Sequence, residues 1–237
     1  MKALNCPNCG AALSAAALKN DLATCEFCGT TFRMSKTATP EPDMGDLLLG
    51  ADFADSTLPG WEIVRDGELS FHKGNPPELR GLYKPRINSY YVLISSGFLD
   101  DFDAGITIKF TEGDDKLITA GLYPRMNSQG GYAVYISPMG QYNIGYFTVD
   151  TASNEFKWNT LVDWTSHASL RKGKDVTNRL RVIMHGEKMR VYLNGVLATS
   201  LKDNRYKMGK LHVVCEPNGE TNLGVAYSDL QVREVVR

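Results

Sequence analysis

No stretch of this 237-residue chain comes near the roughly 18 consecutive apolar residues that a membrane-spanning helix needs, so no membrane span is expected. Charge of one sign is missing as well. The 26 basic residues stand against 27 acidic ones, for a net charge of −1. No global field is available to hold a polyanion, and nucleic acid is not an expected partner. The opening Met1-Lys2-Ala3-Leu4-Asn5-Cys6 reaches a cysteine before an apolar signal core could form. A cytoplasmic location is therefore the expectation. After about residue 50 no segment sustains a helical apolar period, which argues against a helical domain there. What remains, 43% hydrophobic and 22% charged residues, is the composition of a soluble globular protein with enough apolar material for a core.

Cysteine is scarce but concentrated. Four of the five cysteines are Cys6, Cys9, Cys25 and Cys28. They fall in Cys-Pro-Asn-Cys-Gly and Cys-Glu-Phe-Cys-Gly, a C-x2-C-x15-C-x2-C spacing that suits a four-cysteine zinc site. Each C-x2-C makes a tight turn that points two thiolates at one place, and Gly10 and Gly29 permit the left-handed backbone that closes it. Two such turns supply a closed tetrahedral sulfur shell, the kind that favours structural Zn2+ and leaves no open position for catalysis. About 34 residues hold too little core to fold alone, so the metal would supply much of the stability. Two disulfides are the alternative, and they would need an oxidising compartment. The pattern resembles a zinc ribbon of the rubredoxin-knuckle kind over residues 4–33. Lys2, Lys19 and Arg33 are its only basic residues, which points to a protein-facing or purely structural role.

Residues 35–46 carry Pro40 and Pro42 among charged and small residues and read as an extended linker. The expected organisation is a ribbon over 1–34, a linker over 35–49 and a β-domain over 50–237. The β-domain is legible from short apolar and aromatic runs between Gly, Asn and Asp clusters. Ile106-Thr107-Ile108-Lys109-Phe110, Tyr132-Ala133-Val134-Tyr135-Ile136 and Tyr142-Asn143-Ile144-Gly145-Tyr146-Phe147 are examples. In Leu180-Arg181-Val182-Ile183-Met184 the apolar residues Leu180, Val182 and Met184 share one face. Asn194-Gly195 is a strong hairpin signal. About a dozen such strands predict an all-β sandwich or barrel.

Several segments resemble the concanavalin A-like lectin/glucanase jelly roll, in particular its 3-keto-disaccharide hydrolase-like and family 16 glycoside hydrolase-related branch. They are Phe53 with Gly60-Trp61-Glu62-Ile63, Leu99-Asp100-Asp101-Phe102-Asp103, Trp164, Asn178-Arg179-Leu180-Arg181-Val182, His185-Gly186-Glu187, Val191-Tyr192-Leu193-Asn194-Gly195, Asp203, Gly209 and Val225-Ala226-Tyr227-Ser228-Asp229. The resemblance covers nearly all of 50–237. The fold class expected is thus mainly β, a small four-Cys ribbon followed by a concanavalin A-like β-sandwich. The resemblance also implies candidate functions, because the fold hosts lectins, hydrolases and protein-binding modules.

The family 16 carboxylate motif Glu-x-Asp-x-x-Glu is missing. Glu112-Gly113-Asp114 runs on to Leu117, and Glu41-Pro42-Asp43 ends on Asp46. The four histidines show no ligand spacing, and His212 is expected to point outward from an apolar strand. Cys215 reads as a buried core thiol. Eleven tyrosines and three tryptophans suit sugar stacking, although many must fill the interior. If Tyr132, Val134 and Ile136 make core, Tyr135 faces the other way. By the same parity Asn143, Trp158 and Trp164, with Tyr123 and Arg125 from a neighbouring strand, would line a ligand face. The jelly-roll resemblance further implies a possible structural Ca2+ near Asp229 with Asp52 or Asp55. A non-catalytic binding or scaffold protein with a glycan or protein partner is the leading expectation. A sugar hydrolase is the alternative, and a self-assembling homo-oligomeric subunit the second.

Metal analysis of the purified chain should find one zinc ion, lost in Cys25→Ser while the β-domain stays folded. A metal-free, folded N-terminus would overturn the ribbon.

Overall fold

The computed structural model describes residues 18–19, 22–29, 31–33, 43–86, 89–150 and 155–236. The chain divides into two compact units, 1–40 and 41–237. In the first, β1 (Leu18–Lys19), β2 (Leu22–Thr24) and β3 (Thr31–Arg33) form a small antiparallel sheet in that order.

The second unit is a two-sheet antiparallel β-sandwich of the jelly-roll kind. No helix occurs among the described residues. One sheet has seven strands in the order β13 (Glu155–Ser166), β12 (Gln141–Asp150), β11 (Gly130–Ser137), β10 (Ile118–Met126), β17 (Lys210–Pro217), β8 (Tyr90–Ser95) and β5 (Trp61–Ile63). The other runs β16 (Val196–Lys202), β15 (Lys188–Leu193), β14 (Thr177–His185), β9 (Phe102–Glu112), β18 (Leu223–Arg233), β7 (Glu78–Tyr83) and β6 (Glu68–His72). Its eighth strand, β4 (Leu47–Ala51), pairs with the far half of β18.

The expected linker is too long at its C-terminal end. Leu47 pairs with Arg233 and Leu49 with Val232, and the Glu234 N–H donates to Asp46 O at 2.9 Å. Residues 46–49 therefore belong to the sandwich. Their strand character is hidden in the sequence because β4 is an edge element whose Leu47 and Leu48 side chains stay exposed.

Strand alternation builds the core. Ile118, Ala120 and Leu122 of β10, Tyr132, Val134 and Ile136 of β11, and Leu211, Val213 and Cys215 of β17 point inward. They meet Ile106, Val182, Val191 and Val225 of the facing sheet in one buried cluster. Complete burial of a single Leu, Ile or Val side chain here is worth about 1.5–3 kcal/mol. Cys215 is fully buried as expected, and burial pushes its thiol pKa up. The alternation predicted for 180–184 is present, with Leu180, Val182 and Met184 in the core. Arg181, on the opposite face, donates from Nε and Nη2 to the two carboxylate oxygens of buried Asp103 at 2.7 and 2.5 Å. Asn194-Gly195 closes the β15–β16 hairpin.

At one end of the sandwich a single guanidinium gathers three chain segments. Arg125 sits at an irregularity of β10 with φ +57° and is 1% exposed. Its Nε donates to Asp100 O at 2.8 Å, and its Nη1 to Gly186 O at 2.8 Å and Tyr206 O at 3.0 Å. Nη2 reaches Asp101 Oδ1 at 3.1 Å, and that same oxygen accepts the Gly186 N–H at 2.7 Å. The segment before β9, the β14–β15 turn and the approach to β17 therefore share one donor group. The sequence reading that put Arg125 on the ligand face is corrected: its side chain is spent on internal acceptors.

Arg125→Ala, which strands three carbonyls and the Asp101 carboxylate, should cost about 3 kcal/mol in a denaturant titration. Loss below about 1 kcal/mol would show that water replaces the clamp.

Candidate functional site

The residues that alternate away from the sandwich core on the seven-stranded sheet form a second, smaller apolar layer. Tyr123, Met126, Ala133, Tyr135 and Val214 are buried there, with Tyr91 and Phe147 packed against them. Register places them side by side: Gly121 stands opposite both Tyr135 and Val214, and Tyr123 opposite His212. On β12 and β13, Phe147 is paired with Trp158, and Gly145 with Thr160.

Two cavities open on this face and share Phe147 as a wall. The larger, about 430 Å3, is lined by Tyr135, Asn143, Phe147, Trp158 and Trp164, with polar groups from Thr119, Thr160, Asp163, Glu216, Lys116 and Asn218. Trp158 lies across β12. A Cβ on Gly145 would stand 2.2 Å from its indole, so only glycine lets the ring approach the strand this closely. Tyr135 at 6.2 Å and Phe147 at 4.9 Å hold the same ring, and its Nε1 donates to Thr160 Oγ1 at 3.0 Å. Trp158 and Trp164 remain 37% and 41% exposed, the exposure an indole face needs to receive a ligand. One strand runs through both tryptophans, and the register shifts in the β12–β13 pairing leave both on the groove side. Asn143 Nδ2 donates to Val162 O at 2.9 Å, closing one of these irregularities.

Beneath the rings lies a chain of hydroxyls ending on a carboxylate. Glu216 Oε2 accepts from Ser89 Oγ and from Tyr135 OH, each at 2.7 Å. Both protons being so used, the Tyr123 hydroxyl is left to donate toward Ser89 Oγ at 2.5 Å and toward Tyr135 OH. Burial foremost, with the Glu216 charge adding to it, raises the Tyr123 pKa, and burial likewise lifts that of Tyr135. Both phenols therefore stay protonated donors and lock the aromatic layer to one carboxylate.

Of the six residues assigned to a ligand face, Tyr135, Asn143, Trp158 and Trp164 line the larger cavity, and Tyr123 lines the smaller. Arg125 does not join them. Glu216, Asp163, Phe147 and Thr119 escaped the sequence reading. Glu216 was within reach of it: with Cys215 inward on β17, its neighbour must face out. Glu112 and Asp114, the near-match to the hydrolase motif, are elsewhere. Glu112 lines a cavity with Glu68, Arg80 and Gly224, and Asp114 Oδ1 caps the Lys116 N–H.

Neither metal expectation gains a complete ligand set, because no group of three His, Cys, Asp or Glu side chains converges among the described residues. For calcium, Asp52, Asp55 and Asp229 line one cavity, where each already has protein partners. Asp229 Oδ2 is paired with Arg179 Nη1 at 2.6 Å and Oδ1 with Gln231 Nε2 at 2.6 Å. Asp52 Oδ1 and Asp55 Oδ1 cap the N–H groups of Ala54 and Thr57. For zinc, the described half fits a knuckle. The Gly29 N–H donates to Cys25 O at 2.9 Å and Gly29 takes φ +70°, folding the chain between β2 and β3 tightly around Cys25 and Cys28. Cys6 and Cys9 lie outside the described residues.

No protein-family model and no curated protein sequence matches the chain. Solved structures do match its fold. The Crh5 transglycosylase superposes over 85% of this chain and 90% of its own, at 11% identity and a TM-score of 0.57. LamAcat from Zobellia galactanivorans covers 81% and 98%, at 11% identity and a TM-score of 0.56. The carbohydrate-binding module CBM66 from Bacillus subtilis covers 74% and 96%, at 13% identity and a TM-score of 0.50. At such identities the likeness is one of fold, and it bears out the concanavalin-like sandwich.

His212 supplies a titration test of this face. It lies on the outer side of β17 as expected, its ring 5.1 Å from that of Tyr91 at 87°, with Nδ1 buried and unpartnered among the described residues. Burial, with the Lys210 charge, pulls its pKa down to about 4. The folded protein thus favours neutral His212, whose contribution is complete above the unfolded pKa near 6.5 and is lost as the pH falls toward 4. Replacing His212 by Gln should remove up to about 3 kcal/mol of the stability lost across that window. Parallel curves for the two proteins would contradict the placement.

Proposed function

We propose that the outer face of the seven-stranded sheet binds carbohydrate, and that the protein is a non-catalytic binding or scaffold module. The observation that carries this reading is the pair of half-exposed indoles, Trp158 and Trp164, over a groove that also presents Asn143, Asp163, Thr160 and Glu216. A sugar ring offers an apolar face to stack and a rim of hydroxyls to satisfy, and this mixture of flat rings and amide, hydroxyl and carboxylate groups complements both. A fold shared with a carbohydrate-binding module and with carbohydrate-active enzymes is consistent with it.

Binding is favoured over hydrolysis by the spacing of carboxylates. A retaining pair stands about 5 Å apart and an inverting pair about 6.5–9.5 Å. The groove's two carboxylates, Asp163 and Glu216, come from β13 and β17, four strand spacings apart, or about 19 Å across the sheet. Glu216 is moreover turned toward Tyr135 and Ser89. For the N-terminal unit, the knuckle turn at Cys25 and Cys28 supports a structural Zn2+ completed by Cys6 and Cys9, a metal that holds the ribbon together and takes no part in ligand chemistry.

A glycan array should identify an oligosaccharide ligand for the intact chain. Trp158→Ala should weaken it about tenfold while the melting temperature moves by no more than about 2 °C. Release of reducing sugars that Glu216→Gln abolishes would replace this reading with that of an enzyme.

A further inference from the structure

The smaller cavity on the same face has a different chemistry from its neighbour. It encloses about 280 Å3 between Tyr91, Tyr123, Met126, Phe147 and Phe156, with Arg86 at its rim. The rings stand edge to face: Tyr91 and Tyr123 at 80° and 6.2 Å, Tyr123 and Phe147 at 60° and 5.2 Å, Phe147 and Phe156 at 88° and 6.5 Å. Aromatic groups prefer this arrangement, and it is one that a further ring can extend. Phe156, at 61% exposed, leaves apolar surface that an occupant would cover.

A sugar is a poor fit. Of the three hydroxyls among the walls, those of Ser89 and Tyr123 are engaged with each other, with Tyr135 and with Glu216, which leaves only that of Tyr91. A sugar ring pushed into the cavity carries more hydroxyls than Tyr91 and Arg86 can serve, and each one left over would lose water at about 1–3 kcal/mol. A planar apolar group has no such penalty. An apolar cavity of about 150 Å3 holds benzene, so this one has room for a substituted ring. Arg86 is the charged lining residue, and its guanidinium opposes the attraction that the aromatic walls would otherwise offer a cation.

We propose that this cavity receives a neutral or anionic aromatic ring, carried as a substituent by the glycan in the adjoining groove. Phe147 is a wall of both groove and cavity, so a ligand seated in the groove has the cavity beside it, across this one ring. The attachment to a glycan rests on the reading above; the ring site itself does not.

The probes are para-fluorobenzoate, para-fluorophenol and para-fluorobenzylammonium, titrated into the intact chain by fluorine NMR. The first two should saturate, and the ammonium should bind at least about tenfold more weakly. Phe156→Ala and Tyr91→Ala should each weaken the first two about fivefold, with folding checked by circular dichroism. Trp164→Ala, in the groove, should leave them within about twofold. The absence of saturable binding, equal binding of the ammonium, or a loss in Trp164→Ala matching that in Phe156→Ala would overturn the ring site. An empty glycan array with saturable ring probes would keep the ring site and remove only its attachment to a glycan.

Discussion

The two-residue period of a β-strand obliges every inward side chain on the seven-stranded sheet to have outward neighbours. The core demands Ile118, Ala120 and Leu122, Tyr132, Val134 and Ile136, and Leu211, Val213 and Cys215. Thr119, Tyr123, Tyr135, His212, Val214 and Glu216 are thereby committed to the opposite face. A one-residue slip in β10, β11 or β17 would send this whole outward set into the core. The register that closes the sandwich is thus the same register that assembles the groove, and the site has no separate scaffold.

That outward layer is apolar enough to need its own order. Tyr123 and Tyr135 are as buried as core residues, although they lie on the side of their sheet away from the sandwich core. Their hydroxyls supply what packing alone would not, through the chain that ends on Glu216. A layer fixed from beneath holds the Trp158 indole close against Gly145 before any ligand arrives, which lowers the entropy lost on binding. The same rigidity divides the face into a mixed groove beside Trp158 and Trp164 and an apolar cavity beside Phe156.

Much of this was legible in the residues. The alternation in 132–136 and 180–184 and the turn at Asn194-Gly195 pointed to a sandwich, and parity placed Tyr135, Asn143, Trp158 and Trp164 on one side. Parity failed at Arg125, where the irregularity in β10 turns the side chain into the end of the sandwich. Such irregularities depend on the partner strand and leave no mark in the local pattern. The linker reading failed at Leu47–Leu49, an edge segment whose strand state depends on β18, nearly two hundred positions away. The chain of hydroxyls was beyond reach for the same reason: Ser89, Tyr123, Tyr135 and Glu216 come from distant positions that only the sheet brings together.

The central claim is that the outer face of the seven-stranded sheet is the ligand face. Amide chemical-shift mapping with the tightest oligosaccharide from the array tests it most directly. The account predicts perturbations concentrated at Tyr135, Asn143, Phe147, Trp158, Trp164 and Glu216. Shifts confined to the other sheet, around Arg80, Thr111 and Gly224, would contradict it.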